Sequence, residues 1–354
     1  MIKHAYIHIP FCIRKCRYCS FVSGLDISEK DLYLKSLLKE IKSKYKSEAL
    51  ETLYIGGGTP SLLEAEDIEN IINHFNFKDN AEITLEANPE TVSSKKFSLF
   101  RKSGINRISL GIQTFNNNIL SQIGRNHDEK CIYKAIETIL NTGFENISID
   151  LIYGLPSQTT ESFKSDLEKA VNLKIKHISA YGLKIEEGSY FYKNPPSLLP
   201  DEDMQVQCFL ELCDFLKSHK FEHYEISNFA IPGFMSRHNL CYWKNKNYYG
   251  FGLNASGYEG NIRYKNTSIF NEYINNPIKR KEEITLTKKQ TEEEEIFLAL
   301  RLKEGINISK LKPHHQKIIE KYQKYNLLEV EKNHLKLTEK GILLSNEIMS
   351  EFID

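Results

Sequence analysis

Cys12, Cys16 and Cys19 stand in the spacing C-x3-C-x2-C, three thiols within eight positions. Thiolates are soft ligands, and one short loop can wrap them round an iron–sulfur cluster. A [4Fe-4S] cubane held by only three thiolates leaves one iron open to a small chelating molecule. Reductive S-adenosylmethionine chemistry requires that arrangement. The amino and carboxylate groups of the methionine moiety bind the open iron, and an electron from the cluster breaks a C–S bond of the sulfonium. The cofactor carries this chemistry; the protein supplies orientation and a pocket poor in water. The competing reading is a zinc ion held by the three cysteines and His8. Structural zinc sites commonly use two separated ligand pairs, and no second pair is visible in the sequence, which favours the cluster.

Further along, Gly56, Gly57, Gly58 and Thr59 form a run that lets the backbone approach a ligand closely. The run matches neither a dinucleotide fingerprint nor a P-loop, because the spacing differs and no Lys-Ser/Thr follows. A tight strand-to-helix turn explains it equally well. Glu86 in L-E-A-N-P-E, Gln113 in G-I-Q-T-F and Asp150 in D-L-I-Y-G-L-P offer acceptors for a ribose or a cationic amino group. Arg125, in I-G-R-N-H, suits a carboxylate through two parallel hydrogen bonds. Each residue alone fits a capping or surface role; their joint occurrence behind a three-cysteine loop points to one ligand site.

The elements that must position these groups alternate in type. Strands are predicted at Ala5–Ile9, Thr52–Ile55, Glu82–Glu86, Arg107–Leu110, Asn146–Ile152 and His177–Leu183, with amphipathic helices near Asp31–Tyr45, Glu66–Phe75, Ser94–Lys102, Glu129–Asn141 and Glu161–Leu173. Such alternation implies parallel βα units of an α/β fold. Periodicity leaves the strand order open, so a barrel, complete or partial, and a doubly wound sheet both fit. The special residues fall just after strands, where loops of parallel α/β folds converge on one face. From about Leu198 the pattern changes: a helix at Asp201–His219, an aromatic and glycine-rich stretch from Phe221 to Tyr264, then helix, helix, two short strands (Leu327–Val330 and Leu335–Thr338) and a last helix, similar to a winged helix. Residues 1–195, 196–285 and 286–354 are the expected divisions: barrel, mixed extension and winged-helix-like end.

Composition excludes several classes. Lys plus Arg number 47 and Asp plus Glu 47, so no bulk field favours nucleic acid or an anionic membrane. No apolar run of membrane-spanning length occurs, and the N-terminus lacks the basic and apolar segments of a signal peptide, which makes a cytoplasmic location the expectation. Seven cysteines, three of them clustered, suit metal binding in a reducing compartment better than disulfides. Cys131, Cys208, Cys213 and Cys241 are scattered and read as mostly buried packing residues.

Together, Y-I-H-I-P-F-C-x3-C-x-Y-C, G-G-G-T-P-S, L-E-A-N-P-E, G-I-Q-T-F and D-L-I-Y-G-L-P resemble the oxygen-independent coproporphyrinogen III oxidase-like family of radical S-adenosylmethionine proteins, over nearly the whole chain. The resemblance implies a partial (β/α)6 barrel with a [4Fe-4S] cluster on Cys12, Cys16 and Cys19 at its open face. It also implies S-adenosylmethionine contacts at Tyr6, Tyr18, Gly57, Gly58, Thr59, Glu86, Gln113, Arg125 and Asp150. Two departures separate the chain from the oxidase. The oxidase resembles C-x3-C-x2-C-x-C, and Phe21 occupies the place of its further cysteine; Cys12 also leaves no room for the oxidase's N-terminal extension.

His238-Asn239-Leu240-Cys241-Tyr242-Trp243 instead matches the H-N-x-x-Y-W signature of the family's heme chaperone branch. An imidazole can ligate heme iron, and flat rings can lie against a porphyrin. The residues alone fit a packed core histidine better; the resemblance makes His238 the favoured heme ligand, with Cys241 a thiolate candidate. The implied partners are heme, an apo-hemoprotein recipient, and a low-potential electron donor where radical chemistry operates, with membrane association only through the recipient. A carrier of heme is thus weighed against an oxidative decarboxylase and against a radical enzyme, such as a methyltransferase, with another substrate.

Overall fold

The computed structural model describes residues 1–24 and 26–353. Its centre is a nine-stranded sheet in which β1 (His4–Ile9), β2 (Leu50–Gly57), β3 (Phe77–Ala87), β4 (Arg107–Gln113), β5 (Asn146–Tyr153) and β6 (His177–Gly182) lie parallel in sequence order. That order excludes the doubly wound alternative, which must reverse direction at a switch point. The crossovers carry α1 (Lys30–Lys44), α2 (Ala65–Ile72), α3 (Ser94–Lys102), α4 (Asn117–Gln122), α5 (Glu129–Asn141) and α6 (Thr160–Asn172). The strands read as nearly continuous apolar runs because helices cover one face and the barrel interior the other. β4 is buried at every position.

The arc does not close. At one end β8 (Asn228–Ala230) pairs antiparallel with β6, and β7 (Glu222–Glu225) pairs with β8; at the other, β9 (Tyr249–Phe251) runs parallel to β1. Strands from the extension therefore complete both edges of the sheet, and one apolar core runs continuously from Ile2 to Tyr273. A buried carboxylate fastens the extension to α1. Glu40 accepts from Gly252 N (2.8 Å), Asn266 Nδ2 (2.8 Å) and Tyr273 Oη (2.7 Å), and pairs with Lys44 (3.1 Å). Four donors compensate the desolvation that a lone buried carboxylate would suffer.

A second core, from Ile296 to Phe352, gathers helices Lys288–Ala299 and Gln316–Lys324 on a small antiparallel sheet. A third strand, Ile306–Asn307, joins the two expected ones there, and the last helix breaks into Glu339–Leu343 and Ser345–Ser350. Cys208, Cys213 and Cys241 are buried as expected, whereas Cys131, third in α5, is only partly covered. Among the described residues, no helix is long and apolar enough to cross a membrane.

Candidate cluster and cofactor site

Sheet register brings the loops of interest to one level. Ile9 pairs with Gly57, Glu86 with Ser109, and Gly111 with Asp150, so the loops after successive strands open side by side. Gly58 N donates to Ile9 O (2.8 Å) and Thr59 N to Phe11 O (2.7 Å), laying the glycine run along the chain that leads into Cys12. A Cβ at Gly58 would stand 2.5 Å from Phe11 O and 2.9 Å from Cys12 Sγ. Only glycine permits that approach. Gly57 has a φ of +117°, a conformation side chains avoid.

The cysteine loop is anchored at several points. Arg17 N and Arg17 Nη1 donate to Ile123 O (3.0 Å) and Gln122 O (3.1 Å) at the end of α4, and Gly24 N returns to Pro10 O (2.9 Å). A chain of side chains then joins two of the thiols. Thr59 Oγ1 donates to Cys12 Sγ (3.6 Å), Asn88 Nδ2 to Thr59 Oγ1 (3.0 Å), Arg125 Nη1 to Asn88 Oδ1 (3.1 Å), and the same Nη1 lies 3.5 Å from Cys16 Sγ. Arg125 Nη2 bonds Gly111 O. Nη1 is thus shared between two protein partners and Nη2 has one, while among the described residues the buried Nε has none.

A cavity of about 440 Å³ fills the barrel mouth, within the usual range for a ligand of cofactor size. Cys12, Cys16, Cys19, Tyr18, Gly57, Gly58, Thr59, Glu86, Gln113, Arg125 and Asp150 all line it. Tyr6 does not: its hydroxyl turns back to His8 Nδ1 (3.1 Å), and its ring stacks on Tyr54. Glu86 accepts from Tyr54 Oη (2.7 Å) and Gly57 N (3.0 Å), yet burial still raises its carboxyl to about 7. Burial likewise raises Asp150, which Ser109 approaches at 3.4 Å. Gln113 sits at φ +67°, a strained setting for a residue with a side chain. The following residues hold it there: Thr114 Oγ1 and Phe115 N donate to buried Asp166 at 2.7 and 2.8 Å.

The donor set fits a cluster better than zinc. Among the described residues, no three His, Cys, Asp or Glu side chains converge as ligands of a single ion. Three thiols spaced round a loop suit a cubane, in which each binds a different iron. His8, the fourth ligand of the zinc reading, has Nε2 2.8 Å from Val22 O and Nδ1 held by Tyr6. Phe21 stands exposed at the rim of the same cavity.

His238 is elsewhere. Helix Arg237–Trp243 turns it inward, with Nδ1 2.7 Å from Thr52 Oγ1 and Nε2 2.7 Å from Tyr242 Oη. Both ring nitrogens are engaged and the residue is 1% exposed. Cys241 is buried beside it, its thiol pushed upward by burial. The sequence reading missed Asn88, although it lies inside L-E-A-N-P-E two positions after Glu86, where strand alternation returns a side chain to the same face.

Residues 6–170 match the model of the Radical SAM superfamily, and residues 286–344 that of the HemN C-terminal domain. The chain is similar to the protein named Heme chaperone HemW in Lactococcus lactis (40% identity over 99% of this chain and 97% of that protein) and in Bacillus subtilis (34% identity over 99% of each). Its fold superimposes on the coproporphyrinogen III oxidase HemN of Escherichia coli with a TM-score of 0.86, covering 99% of this chain and 90% of that one, at 23% identity. That last likeness establishes the open α/β barrel and no more. On the full-length identity, the chain belongs to the HemW family of radical SAM proteins.

Proposed function

We propose that the protein binds heme and passes it to an apo-hemoprotein in the cytoplasm, with a [4Fe-4S] cluster and S-adenosylmethionine at the barrel mouth supporting or regulating the transfer. The observation that carries this reading is the 40% identity, over nearly every residue, to a protein named Heme chaperone HemW. Cys12, Cys16 and Cys19 would hold the cluster. Bound there with S-adenosylmethionine, it supplies one-electron reductive cleavage of a sulfonium C–S bond. The chain's own residues prepare that site. Thr59 and Arg125 direct hydrogen-bond donors at two of the sulfurs. Glu86 and Asp150 present carboxyls to a cavity that would receive a cationic ligand. A low-potential electron donor is needed only where cleavage operates.

Phe21 at the cavity rim favours the carrier over the oxidase, because it offers no thiol where the oxidase resembles a further cysteine. Full-length protein, loaded anaerobically and mixed with heme and then with an apo-hemoprotein, should lose its Soret band to the acceptor. Anaerobic conversion of coproporphyrinogen III to protoporphyrinogen would establish the decarboxylase instead.

A further inference from the structure

We infer that Arg301 is a proton-governed latch between the C-terminal domain and the barrel, shared between the ring of Trp243 and the carboxyl group of Glu225. The two apolar cores meet where the segment after helix Lys288–Ala299 runs along β7. Ile226 N donates to Arg301 O (3.2 Å), Lys303 N donates to Tyr224 O (3.0 Å), and Leu302 bridges Glu225 in antiparallel register. Ile226 also packs against the second core. The backbone of Arg301 is fixed by these contacts; its side chain is not.

The guanidinium lies over the indole of Trp243, 4.8 Å from the ring centroid, and 6.0 Å from that of Phe297. Among the described residues it makes no side-chain hydrogen bond or ion pair, and its buried Nε is without a partner. A stack on rings satisfies the charge and leaves the planar fork of N–H donors unspent. Glu225 is the complement. It is 2% exposed, bonded by Asn228 Nδ2, and among the described residues in contact with no cation. Asn228 Oδ1, beside it, is buried and unpartnered too. An Arg301 fork turned toward β7 and β8 would answer the carboxylate and that orphaned oxygen together.

Protonation selects between the two positions. Burial raises the Glu225 carboxyl to about 7, against the opposing pull of Asn228, the Ser227 backbone and Arg301. Below that pH the carboxyl is neutral and the guanidinium stays on Trp243. Above it a buried carboxylate requires a counter-charge, and Arg301 is the cation that acts on it. The other groups round Glu225 do not compete. Burial keeps Tyr181 and Tyr224 protonated, His223 on the same strand stays neutral down to about 4, and Lys303 is matched by Glu339 at 4.0 Å. Trp243 ends its helix and, with Tyr248, Phe297 and Leu298, walls an apolar pocket of about 610 Å³. Its Nε1 has no partner among the described residues, so packing and the guanidinium hold the ring. Transfer of Arg301 to Glu225 thus tightens the joint between domains and frees one wall of that pocket. The latch is independent of the carrier reading.

Trp243 is the sole tryptophan of the chain, so its emission reads the latch. Full-length protein, anaerobically loaded with its cluster, should be titrated across neutral pH and followed by tryptophan emission and by acrylamide quenching. Both are expected to change in one step centred near pH 7, with stronger quenching on the alkaline side. Glu225→Gln, which keeps the size of the protonated side chain, should hold the acid-side values throughout. Arg301→Leu should be insensitive to pH. Glu86→Gln removes the other carboxyl that burial raises to about 7, and should leave the step in place. Emission indifferent to pH in the wild type, a step that survives in Glu225→Gln, or one abolished by Glu86→Gln overturns the latch.

Discussion

Asn88 and Arg125 share a 3.1 Å hydrogen bond, and through it the loop that bears Cys12 is tied to the loop that bears Cys16. Neither side chain carries a sulfur; together they tie the positions of the two candidate thiols. Asn88→Ala removes the link and leaves Arg125 one partner short in a buried place. The expected cost is about 1–3 kcal/mol of stability. Iron bound after anaerobic reconstitution should fall as well. Thermal melting and iron content read the two effects separately, and unchanged iron content would rule out the positioning role.

Gly58→Ala is the sharper lesion. Its methyl group would sit 2.5 Å from a backbone oxygen and 2.9 Å from Cys12 Sγ, so the cysteine loop must move. Little or no iron should be retained, with the far-UV circular dichroism preserved because the strands beneath are untouched. A normally loaded Gly58→Ala protein would show that the close approach is dispensable.

Glu86 makes the site sensitive to pH. Burial raises its carboxyl from 4.5 to about 7, so the native state keeps a proton that the unfolded chain releases. Its contribution to stability is therefore full below about pH 4.5 and is lost as pH rises through about 7. A cationic ligand in the cavity has the opposite preference, since it favours the carboxylate. S-adenosylmethionine affinity should rise about tenfold between roughly pH 6 and pH 8. Glu86→Gln should flatten that profile; calorimetry at the two pH values reads it.

His238→Ala deletes a buried ring with both nitrogens bonded, to Thr52 and Tyr242. We expect a loss of about 2–4 kcal/mol in chemical denaturation, from an unpaired Thr52–Tyr242 environment and a new cavity. Conservative replacement by Gln should recover part of it. A stable His238→Ala protein that had lost only its Soret response would return His238 to the role of iron ligand.

The α/β fold was legible in the sequence, and so were the residue types of the candidate site. Cys12, Cys16 and Cys19 announce themselves because one loop holds them, and Gly58, Glu86 and Asp150 because each closes a strand-like run. Strand order was not legible, since alternation of apolar residues says which segments are strands and nothing about which are neighbours. The setting of His238 was not legible for a related reason: a histidine beside Tyr and Trp has the same local pattern in a pocket wall and in a core, and its Thr52 partner stands 186 positions away.

The most direct test of the central claim is electron paramagnetic resonance of the reduced, anaerobically reconstituted protein, with and without S-adenosylmethionine. Three thiolates leaving one iron open should give about four iron and about four sulfide per chain, and a signal that changes on adding the sulfonium. Zinc in place of iron, or a cluster signal indifferent to S-adenosylmethionine, would contradict it.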